Sequence, residues 1–208
     1  MNHIERKAHW ENIYQTKALN EVSWYQPTPE TSLNFIVQMC PNKDAKIIDI
    51  GGGDSFLVDH LLKLGYQNIT VLDISEAAIE RAKLRLGNEK ATKVNWIVSD
   101  VTAFESDEKF DLWHDRAAFH FLTSKEDVQS YIERLNRFTN ENAGLIIGTF
   151  SENGPLKCSG IEIQQYSAES LTKAFESNWK VLNNLIIDHT TPFKTQQNFI
   201  FSTFSKKH

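Results

Sequence analysis

At 208 residues, the chain is long enough for one domain with a sizeable core. Its 22 Lys and Arg against 27 Asp and Glu give a net charge of -5, and the missing basic surface argues against nucleic acid as a partner. Cys40 and Cys158 lack metal-ligand or redox spacing, and no apolar run reaches membrane-spanning length, so we expect a cytoplasmic protein with no metal site and no membrane segment.

Residues 1–40 are predicted to form a helical cover. Helix-forming residues run from 3 to 17, and Pro29 suits the first turn of a second helix. Trp24 and Tyr25 lie between these two helices. Their aromatic faces can either attract a cationic ligand or pack the cover onto the rest of the fold, and the sequence leaves both roles open.

A glycine-rich turn follows the first predicted strand. The apolar stretch 46–50 breaks into Gly51-Gly52-Gly53, and helical apolar spacing begins at Phe56. Glycines allow a sharp turn and leave a ligand free to approach the amino terminus of the helix. A dinucleotide fingerprint requires a glycine at the position of Phe56, so the turn favours a nucleotide-type cofactor other than NAD.

The next two predicted strands each end in a carboxylate. Residues 68–73 end at Asp73, and residues 94–100 end at Asp100. A carboxylate at the first of these positions can accept hydrogen bonds from both ribose hydroxyls. Because strands and helices alternate through this region, we predict a doubly wound sheet with its ligand at the carboxyl ends of the strands.

The Asp-x-Gly-x-Gly turn at 49–53, followed by two strand-end carboxylates, resembles the class I S-adenosylmethionine-dependent methyltransferases. The resemblance implies S-adenosyl-L-methionine as the cofactor, with Asp73 binding the ribose and with Asp100 and the Val101 amide binding the adenine. Ser55 departs from the family, which has a third glycine at this position. The cofactor-binding residues that the resemblance implies are Trp24, Asp49, Gly51, Gly53, Asp73, Ile74, Asp100, Val101 and His114.

The fourth predicted strand, 109–113, runs into a segment that contains the candidate catalytic groups. His114, Asp115 and His120 are candidates for a general base, which only amine and hydroxyl acceptors would need. Arg116 is a candidate clamp for a carboxylate or another anionic acceptor. Each of these side chains can equally have a structural role, because charged residues near a cleft are also used structurally.

The Asp115-Arg116-Ala117 sequence relates the chain to two groups of methyltransferases. It resembles the Asp-Arg-Gly-Ala of thiopurine and thiol methyltransferases. It also resembles the Asp-Lys-Gly of the lysine methyltransferases of citrate synthase and of an elongation factor, whose amino-terminal cover is similar to the Trp24-Tyr25 segment. The Asp/Asn-Pro-Pro motif of nucleic-acid base methyltransferases does not occur here. The two resemblances point to different acceptors.

The carboxyl-terminal part completes the predicted sheet. Strand 145–150 leads into a polar loop at 151–160, which is long enough to act as a lid. Strands 180–187 and 197–204 follow one another with no helix between them, which indicates an antiparallel pair. We predict an α/β fold with a doubly wound, Rossmann-like, seven-stranded sheet and helices on both faces. The resemblance implies the strand order 3-2-1-4-5-7-6, with strand 7 antiparallel.

We expect one domain over residues 1–208, with a cofactor-binding half at 41–150 and a substrate-side part at 151–208. The expected activity is methyl transfer from S-adenosylmethionine to a small-molecule acceptor by in-line displacement, which proximity and orientation can largely promote. A protein lysine is the alternative acceptor. From another class, the chain could bind S-adenosylmethionine or its product S-adenosyl-L-homocysteine without catalysis. The sequence is compatible with a monomer or a homodimer.

Overall fold

The computed structural model describes residues 3–207, so the two ends of the predicted 1–208 domain lie outside the described residues. Within this range a seven-stranded sheet is flanked by helices. Its strands are β1 (Lys46–Ile50), β2 (Asn68–Asp73), β3 (Val94–Val98), β4 (Phe110–Arg116), β5 (Thr139–Phe150), β6 (Trp179–Thr190) and β7 (Gln196–Lys206). The helices are α1 (His3–Thr16), α2 (Glu30–Met39), α3 (Leu57–Lys63), α4 (Glu76–Leu86), α5 (Asn88–Ala91), α6 (Lys125–Arg137) and α7 (Ala168–Phe175).

The strands lie in the order β3-β2-β1-β4-β5-β7-β6. Neighbours among β1 to β5 pair in parallel, whereas β7 runs antiparallel to both β5 and β6. The predicted order and the antiparallel seventh strand are therefore confirmed. All five parallel strands point their carboxyl ends to one edge of the sheet, where the predicted ligand site lies.

Two parts of the carboxyl-terminal region differ from the prediction. β6 and β7 extend beyond the predicted 180–187 and 197–204, because polar residues such as Asp188 and Gln196 continue the ladder. The strands were predicted to end where their apolar residues end, but backbone hydrogen bonding does not depend on side-chain hydropathy. The predicted loop at 151–160 contains half of a small hairpin, in which Lys157–Cys158 pairs with Ile161–Glu162.

Two apolar layers cover the two faces of the sheet. Ile47 and Phe201 belong to the layer beneath α2 and α3, and Ile48 and Trp113 belong to the layer beneath α6 and α7. Successive residues of β1 therefore point into opposite layers, as expected of a strand buried on both faces. None of the helices within residues 3–207 has the length and apolar character that crossing a bilayer requires.

Helix α1 is fixed over the carboxyl end of β2 by charged side chains. Glu11 accepts hydrogen bonds from Ser75 Oγ at 2.8 Å and from the Ala77 amide at 3.2 Å, at the beginning of α4. Arg81 donates to the Tyr14 and Lys17 carbonyls at 2.9 Å and 2.8 Å, at the end of α1. Because both helix ends obtain partners for their exposed backbone groups, the contact stabilises both helices.

Candidate active site

Two clefts open at the carboxyl edge of the sheet. The first cleft, of about 730 Å³ with its open mouth, contains Asp73 and Asp100. The second cleft, of about 660 Å³, lies over the glycine turn and Tyr25. Among the described residues, the two clefts share Tyr14, Trp24, Gly51 and Arg116.

The glycine turn between β1 and α3 needs glycine for its conformation and for space. Gly51 and Gly53 have φ angles of 64° and 41°, in the region that favours glycine. A Cβ atom added to Gly53 would lie 2.7 Å from Asp73 Oδ2 and 3.0 Å from Tyr14 Oη. The turn therefore brings backbone close to the strand-end carboxylate, and no side chain fits at Gly53.

Asp73 is buried at the end of β2. Its Oδ1 accepts a hydrogen bond from the Ser75 amide at 2.8 Å. Burial, together with the nearby Asp49 and Glu11 carboxylates, raises the pKa of Asp73 to about 7 against the lowering effect of backbone hydrogen bonds. The ionised form of this carboxylate is therefore costly until a donor such as a ribose hydroxyl reaches it.

Asp100 lies at the far end of the first cleft, after β3. Its Oδ1 accepts from the Thr102 amide at 2.9 Å and from Thr102 Oγ1 at 2.8 Å. Its Oδ2 forms an ion pair with Nε of Arg6 at 3.2 Å. Arg6 belongs to α1 and also faces Asp127 of α6, at 3.4 Å. One arginine of the cover thus contacts both the predicted adenine site and the helix behind it.

Aromatic rings form a wall of the first cleft. The ring centroid of Trp10 is 4.8 Å from that of Phe121 and 5.7 Å from that of Trp24, and Trp24 lies 6.3 Å from Tyr14. The near-perpendicular orientations are favourable for aromatic pairs, and exposed ring faces attract cations. Trp24 therefore packs the cover and lines both clefts, whereas Tyr25 packs on Phe56 at 6.1 Å.

His114 connects three elements beneath the second cleft. Its Nδ1 is 2.7 Å from Asp49 Oδ1, and its Nε2 is 2.8 Å from Ser32 Oγ. Both ring nitrogens are thus engaged within a buried chain that joins α2, β4 and β1. This arrangement fixes the Asp49 carboxylate under the glycine turn, so His114 positions a neighbour of the cofactor site.

Asp115 is buried at the base of the turn that follows β4. Its Oδ1 accepts from the Ala118 and Phe119 amides at 3.0 Å and 3.1 Å, and its Oδ2 accepts from the Tyr131 hydroxyl at 2.9 Å. Burial raises the pKa of Asp115 to about 6, although these hydrogen bonds oppose the rise. Ala117 has a φ of 67°, and the two motifs that resemble this segment have glycine at that position. Asp115 therefore stabilises a turn in which a residue other than glycine has a positive φ.

Arg116 occupies the wall between the two clefts. One terminal nitrogen donates to the Trp24 carbonyl at 3.0 Å, and the guanidinium lies over the Phe199 ring at 5.2 Å. Burial lowers the pKa of Arg116 to about 10, against the raising effect of Asp49 and Cys158. No ion pair to Arg116 occurs within residues 3–207. The half-buried cation thus has hydrogen-bonding capacity left for an anion.

His120 lies behind the clefts. Its Nδ1 accepts from the Phe150 amide at 3.3 Å, and its ring stacks on Phe150 at 4.6 Å. Burial, together with the charge of Arg116, lowers the pKa of His120 to about 3. Its Nε2 has no hydrogen-bond partner within the described part of the chain. The ring is therefore neutral at ordinary pH and packs as part of the core.

A match to a known family covers most of the chain. Residues 41–202 match a family described as "Methyltransferase domain". The chain belongs to this methyltransferase family. Its sheet order and antiparallel last strand are those expected of the class I methyltransferase fold that the glycine turn predicted.

Relatives of this methyltransferase have different acceptors in their names. Over 108 residues, or 51% of the chain, it is 33% identical to malonyl-[acyl-carrier protein] O-methyltransferase of Anoxybacillus flavithermus. Over 122 residues, or 58% of the chain, it is 30% identical to eEF1A lysine and N-terminal methyltransferase of Mus musculus. The matches span only 39% and 17% of the lengths of these two proteins.

Solved structures share the fold of this methyltransferase. The N-methyltransferase NodS from Bradyrhizobium japonicum WM9, in complex with S-adenosyl-l-homocysteine, superposes with a TM-score of 0.70 at 13% identity, over 97% of this chain and 99% of that one. The 1,6-didemethyltoxoflavin-N1-methyltransferase of Burkholderia thailandensis gives 0.73 at 13% identity, over 99% and 85%. At such identities the likeness establishes the fold.

The structure of the methyltransferase separates the predicted site residues into groups. The predicted residues lining the first cleft are Trp24, Gly51, Asp73, Ile74, Asp100, Val101 and Arg116. Asp49 and His114 line the second cleft, beside the shared Trp24, Gly51 and Arg116. Gly53 lies between Asp73 and Tyr14. Asp115 and His120 line neither cleft. Their predicted roles in binding and catalysis stay predictions.

Three residues in or beside the site were missed in the sequence. Arg6 lines the first cleft, where it follows the spacing Arg6, Trp10, Tyr14 on one face of α1. The spacing of four residues can be seen in the sequence, but nothing there distinguishes this arginine from a solvent-exposed one. Glu11 and His189 were also missed. His189 Nε2 lies 2.7 Å from the Ser23 carbonyl, a contact between residues 166 positions apart.

Proposed function

We propose that this methyltransferase transfers a methyl group from S-adenosyl-L-methionine to a small-molecule acceptor that carries an anionic group. The observation that supports the anionic acceptor is Arg116, a half-buried guanidinium on the wall between the two clefts with no ion pair within residues 3–207. A desolvated cation gains most from an anionic partner, and the planar fork of arginine suits a carboxylate.

The residues present fit this cofactor. The absence of a side chain at Gly53 lets the glycine turn pack closely against the Asp73 carboxylate that we assign to the ribose. At the other end of the cleft, Asp100 Oδ2 has no hydrogen-bond donor within the described residues and can accept one from the adenine amino group. When bound, S-adenosylmethionine supplies an electrophilic methyl group on a positively charged sulfur.

Aromatic and acidic side chains of the chain suit a cationic sulfur. Trp24 and Tyr14 line both clefts and can offer ring faces to it. Asp49 and Asp73 give the neighbourhood a negative potential. We infer that these groups orient the cofactor and that Arg116 orients the acceptor, so that proximity supplies most of the rate enhancement.

We assign no general base to the chain. His114 has both ring nitrogens engaged, Asp115 accepts three hydrogen bonds, and His120 has a pKa lowered to about 3. These groups therefore position the site. The acceptor atom that suits such a site already carries a free electron pair near neutral pH, as a carboxylate or a thiolate does.

A panel of matched acceptors tests this proposal. Each thiol that carries a separate carboxylate is paired with a thiol of the same shape that carries the neutral carboxamide instead, and transfer of labelled methyl to the shared sulfur is measured. We expect the anionic member to react faster, and Arg116→Ala to lower its kcat/KM about 10-fold to 100-fold, as expected for a lost charge-assisted hydrogen bond. The neutral member should change little. Equal rates for both members in wild type and variant would contradict the anionic acceptor.

A protein lysine is the second candidate acceptor. The 30% identity to the mouse eEF1A lysine and N-terminal methyltransferase favours it, although that match spans 17% of the relative. Labelling of a protein band in a cell extract, with no labelling of small acids or thiols, would support the lysine. Tight binding of S-adenosylhomocysteine with no labelled product from either source would support the non-catalytic alternative.

A further inference from the structure

The Asp100 end of the first cleft holds a buried donor and a buried acceptor that lack hydrogen bonds. Arg6 Nε and Asp100 Oδ2 have no hydrogen-bond partner within residues 3–207. They lie 3.2 Å apart as an ion pair, but the N–H is not directed at the oxygen. The two side chains are only 9% and 10% exposed. Buried polar groups of this kind normally have partners, so a ligand is expected to supply them.

The remaining polar atoms of the two side chains are already engaged. Asp100 Oδ1 accepts both Thr102 hydrogen bonds, at 2.9 Å and 2.8 Å. The terminal nitrogens of Arg6 donate to the Asp127 carboxylate at 3.5 Å and 3.4 Å. These contacts fix both groups from behind. The atoms left without a partner are one N–H donor beside one carboxylate acceptor, on two side chains that line the first cleft.

This pair of groups matches one edge of adenine. On that edge the 6-amino group donates and the neighbouring ring nitrogen N7 accepts, a pattern that a single Asn or Gln amide reads in DNA because it also offers one donor and one acceptor. We propose that Arg6 binds the adenine of the cofactor, with its Nε–H donating to N7 while Asp100 Oδ2 accepts from the 6-amino group. The inference rests on S-adenosylmethionine as the cofactor.

In this role Arg6 lets the amino-terminal cover discriminate between nucleobases. Hypoxanthine has an oxygen at position 6. This oxygen would face the Asp100 carboxylate, and both groups can only accept hydrogen bonds. A 7-deaza base has a C–H at position 7, which would leave the Arg6 donor without a partner in the bound state. Both changes are penalised because a buried polar group left unpaired costs more than the bond contributes.

The test compares S-adenosylhomocysteine with its 7-deaza analogue by titration calorimetry. Wild type should bind the 7-deaza analogue about tenfold more weakly, since a hydrogen bond from a charged donor is lost. In Arg6→Met, S-adenosylhomocysteine should weaken by a similar factor, and the difference between the two ligands should disappear. Asp127→Asn is the matched control, because it removes the charge of the second partner of Arg6 and leaves Nε and Asp100 in place.

Each outcome decides the inference. Equal affinity of wild type for the two ligands would overturn it even if Arg6→Met failed to fold, since no donor would then reach N7. An Arg6→Met variant that still discriminated tenfold would also overturn it. A loss of discrimination in Asp127→Asn as large as in Arg6→Met would assign the effect to docking of α1. If wild type bound neither ligand, the cofactor assignment would fail first, and the inference with it.

Discussion

The cofactor side and the acceptor side of the site are opposite in charge. Over β1 to β3 the buried side chains are the carboxylates of Asp49 and Asp73, and burial raises the pKa of Asp73 to about 7. At the end of β4 the polar side chain is the half-buried guanidinium of Arg116, and burial lowers its pKa to about 10. Asp73 and Arg116 have no ion-pair partner within residues 3–207, so Asp73 suits a cationic sulfonium cofactor and Arg116 suits the anionic acceptor that we propose.

The two sides also differ in how they are built. On the cofactor side, backbone amides and helix ends hold the carboxylates, as Ser75 and Thr102 do for Asp73 and Asp100. On the acceptor side, one side chain joins distant segments, as Arg116 does with the Trp24 carbonyl. The strand-end carboxylates are therefore held by local backbone groups, with Arg6 of the cover beside Asp100, whereas Arg116 is held by the Trp24 carbonyl of the cover. Changes at Arg116 should affect acceptors more than the cofactor.

The largest expected effect comes from Gly53→Ala on the cofactor side. The added Cβ would lie 2.7 Å from Asp73 Oδ2. We expect S-adenosylhomocysteine affinity to fall about 100-fold, the upper end of what overpacking costs. Gly65→Ala is the matched control: Gly65 also has a positive φ, of 87°, but no atom lies within 4 Å of its added Cβ. Similar losses in both variants, measured by calorimetry, would show that steric space at Gly53 is not the cause.

The next effect is a pH dependence that comes from Asp73. Ribose hydroxyls donate to the ionised form, and the pKa of Asp73 is raised to about 7. Affinity for S-adenosylhomocysteine should therefore fall below pH 7, by at most about tenfold per pH unit. Asp73→Asn should bind about tenfold more weakly at pH 8 and show a flat profile. A wild-type profile without a step between pH 5.5 and 8 would contradict an ionised Asp73 on the ribose.

The same raised pKa changes the stability of the ligand-free protein in the opposite direction. Because the folded pKa of about 7 lies above the ordinary value of 3.8, the folded state binds more protons between these values. The free energy of unfolding should therefore decrease as the pH rises from about 4 to about 7. Denaturant titrations of Asp73→Asn should lack this contribution. An identical pH profile in both proteins would contradict it.

A smaller effect is expected where the cover meets the cofactor side. Glu11→Gln weakens the acceptor for Ser75 Oγ and the Ala77 amide at the beginning of α4. We expect a loss of about 1 kcal/mol in the free energy of unfolding, as for a lost helix cap. Glu80→Gln, which removes an exposed pair with Lys83 on the same helix, should cost much less. Equal losses in chemical denaturation would contradict the capping role.

The smallest effect lies at the boundary between the two sides. Ala117 has a φ of 67°, so Ala117→Gly should relieve strain and stabilise the fold by up to about 1 kcal/mol, with cofactor affinity unchanged. The neighbouring Ala118 has a φ of -107°, and Ala118→Gly should instead destabilise by about 0.5–1 kcal/mol. Thermal unfolding of the pair gives the comparison. Destabilisation by Ala117→Gly would show that this backbone is not strained.

Much of the fold could be predicted from the sequence because its signals are local. Alternating strands and helices indicated the doubly wound sheet, and the absence of a helix between β6 and β7 indicated the antiparallel pair, both of which are confirmed. The carboxylates Asp73 and Asp100 could be found because each follows an apolar strand directly. The ends of β6 could not, because polar residues continue its ladder to Thr190.

The partners of the site residues could not be predicted, because they come from distant parts of the chain. His114 contacts Ser32, 82 positions away, and Arg116 contacts Trp24, 92 positions away. Arg6 reaches Asp127 across 121 positions. No periodicity or spacing encodes such contacts, so a base and a structural histidine have the same appearance in the sequence. The sequence thus predicts the place of the ligand more readily than it predicts which side chains are free to bind that ligand.

The most direct measurement is calorimetric titration of S-adenosylhomocysteine into wild type, Asp73→Asn and Arg116→Ala, with NADH as a control ligand. A division into a cofactor side and an acceptor side predicts tight binding to wild type, weak binding to Asp73→Asn, and nearly unchanged binding to Arg116→Ala, with no NADH binding. If Arg116→Ala lost as much affinity as Asp73→Asn, Arg116 would belong to the cofactor, and the anionic acceptor would lose its support.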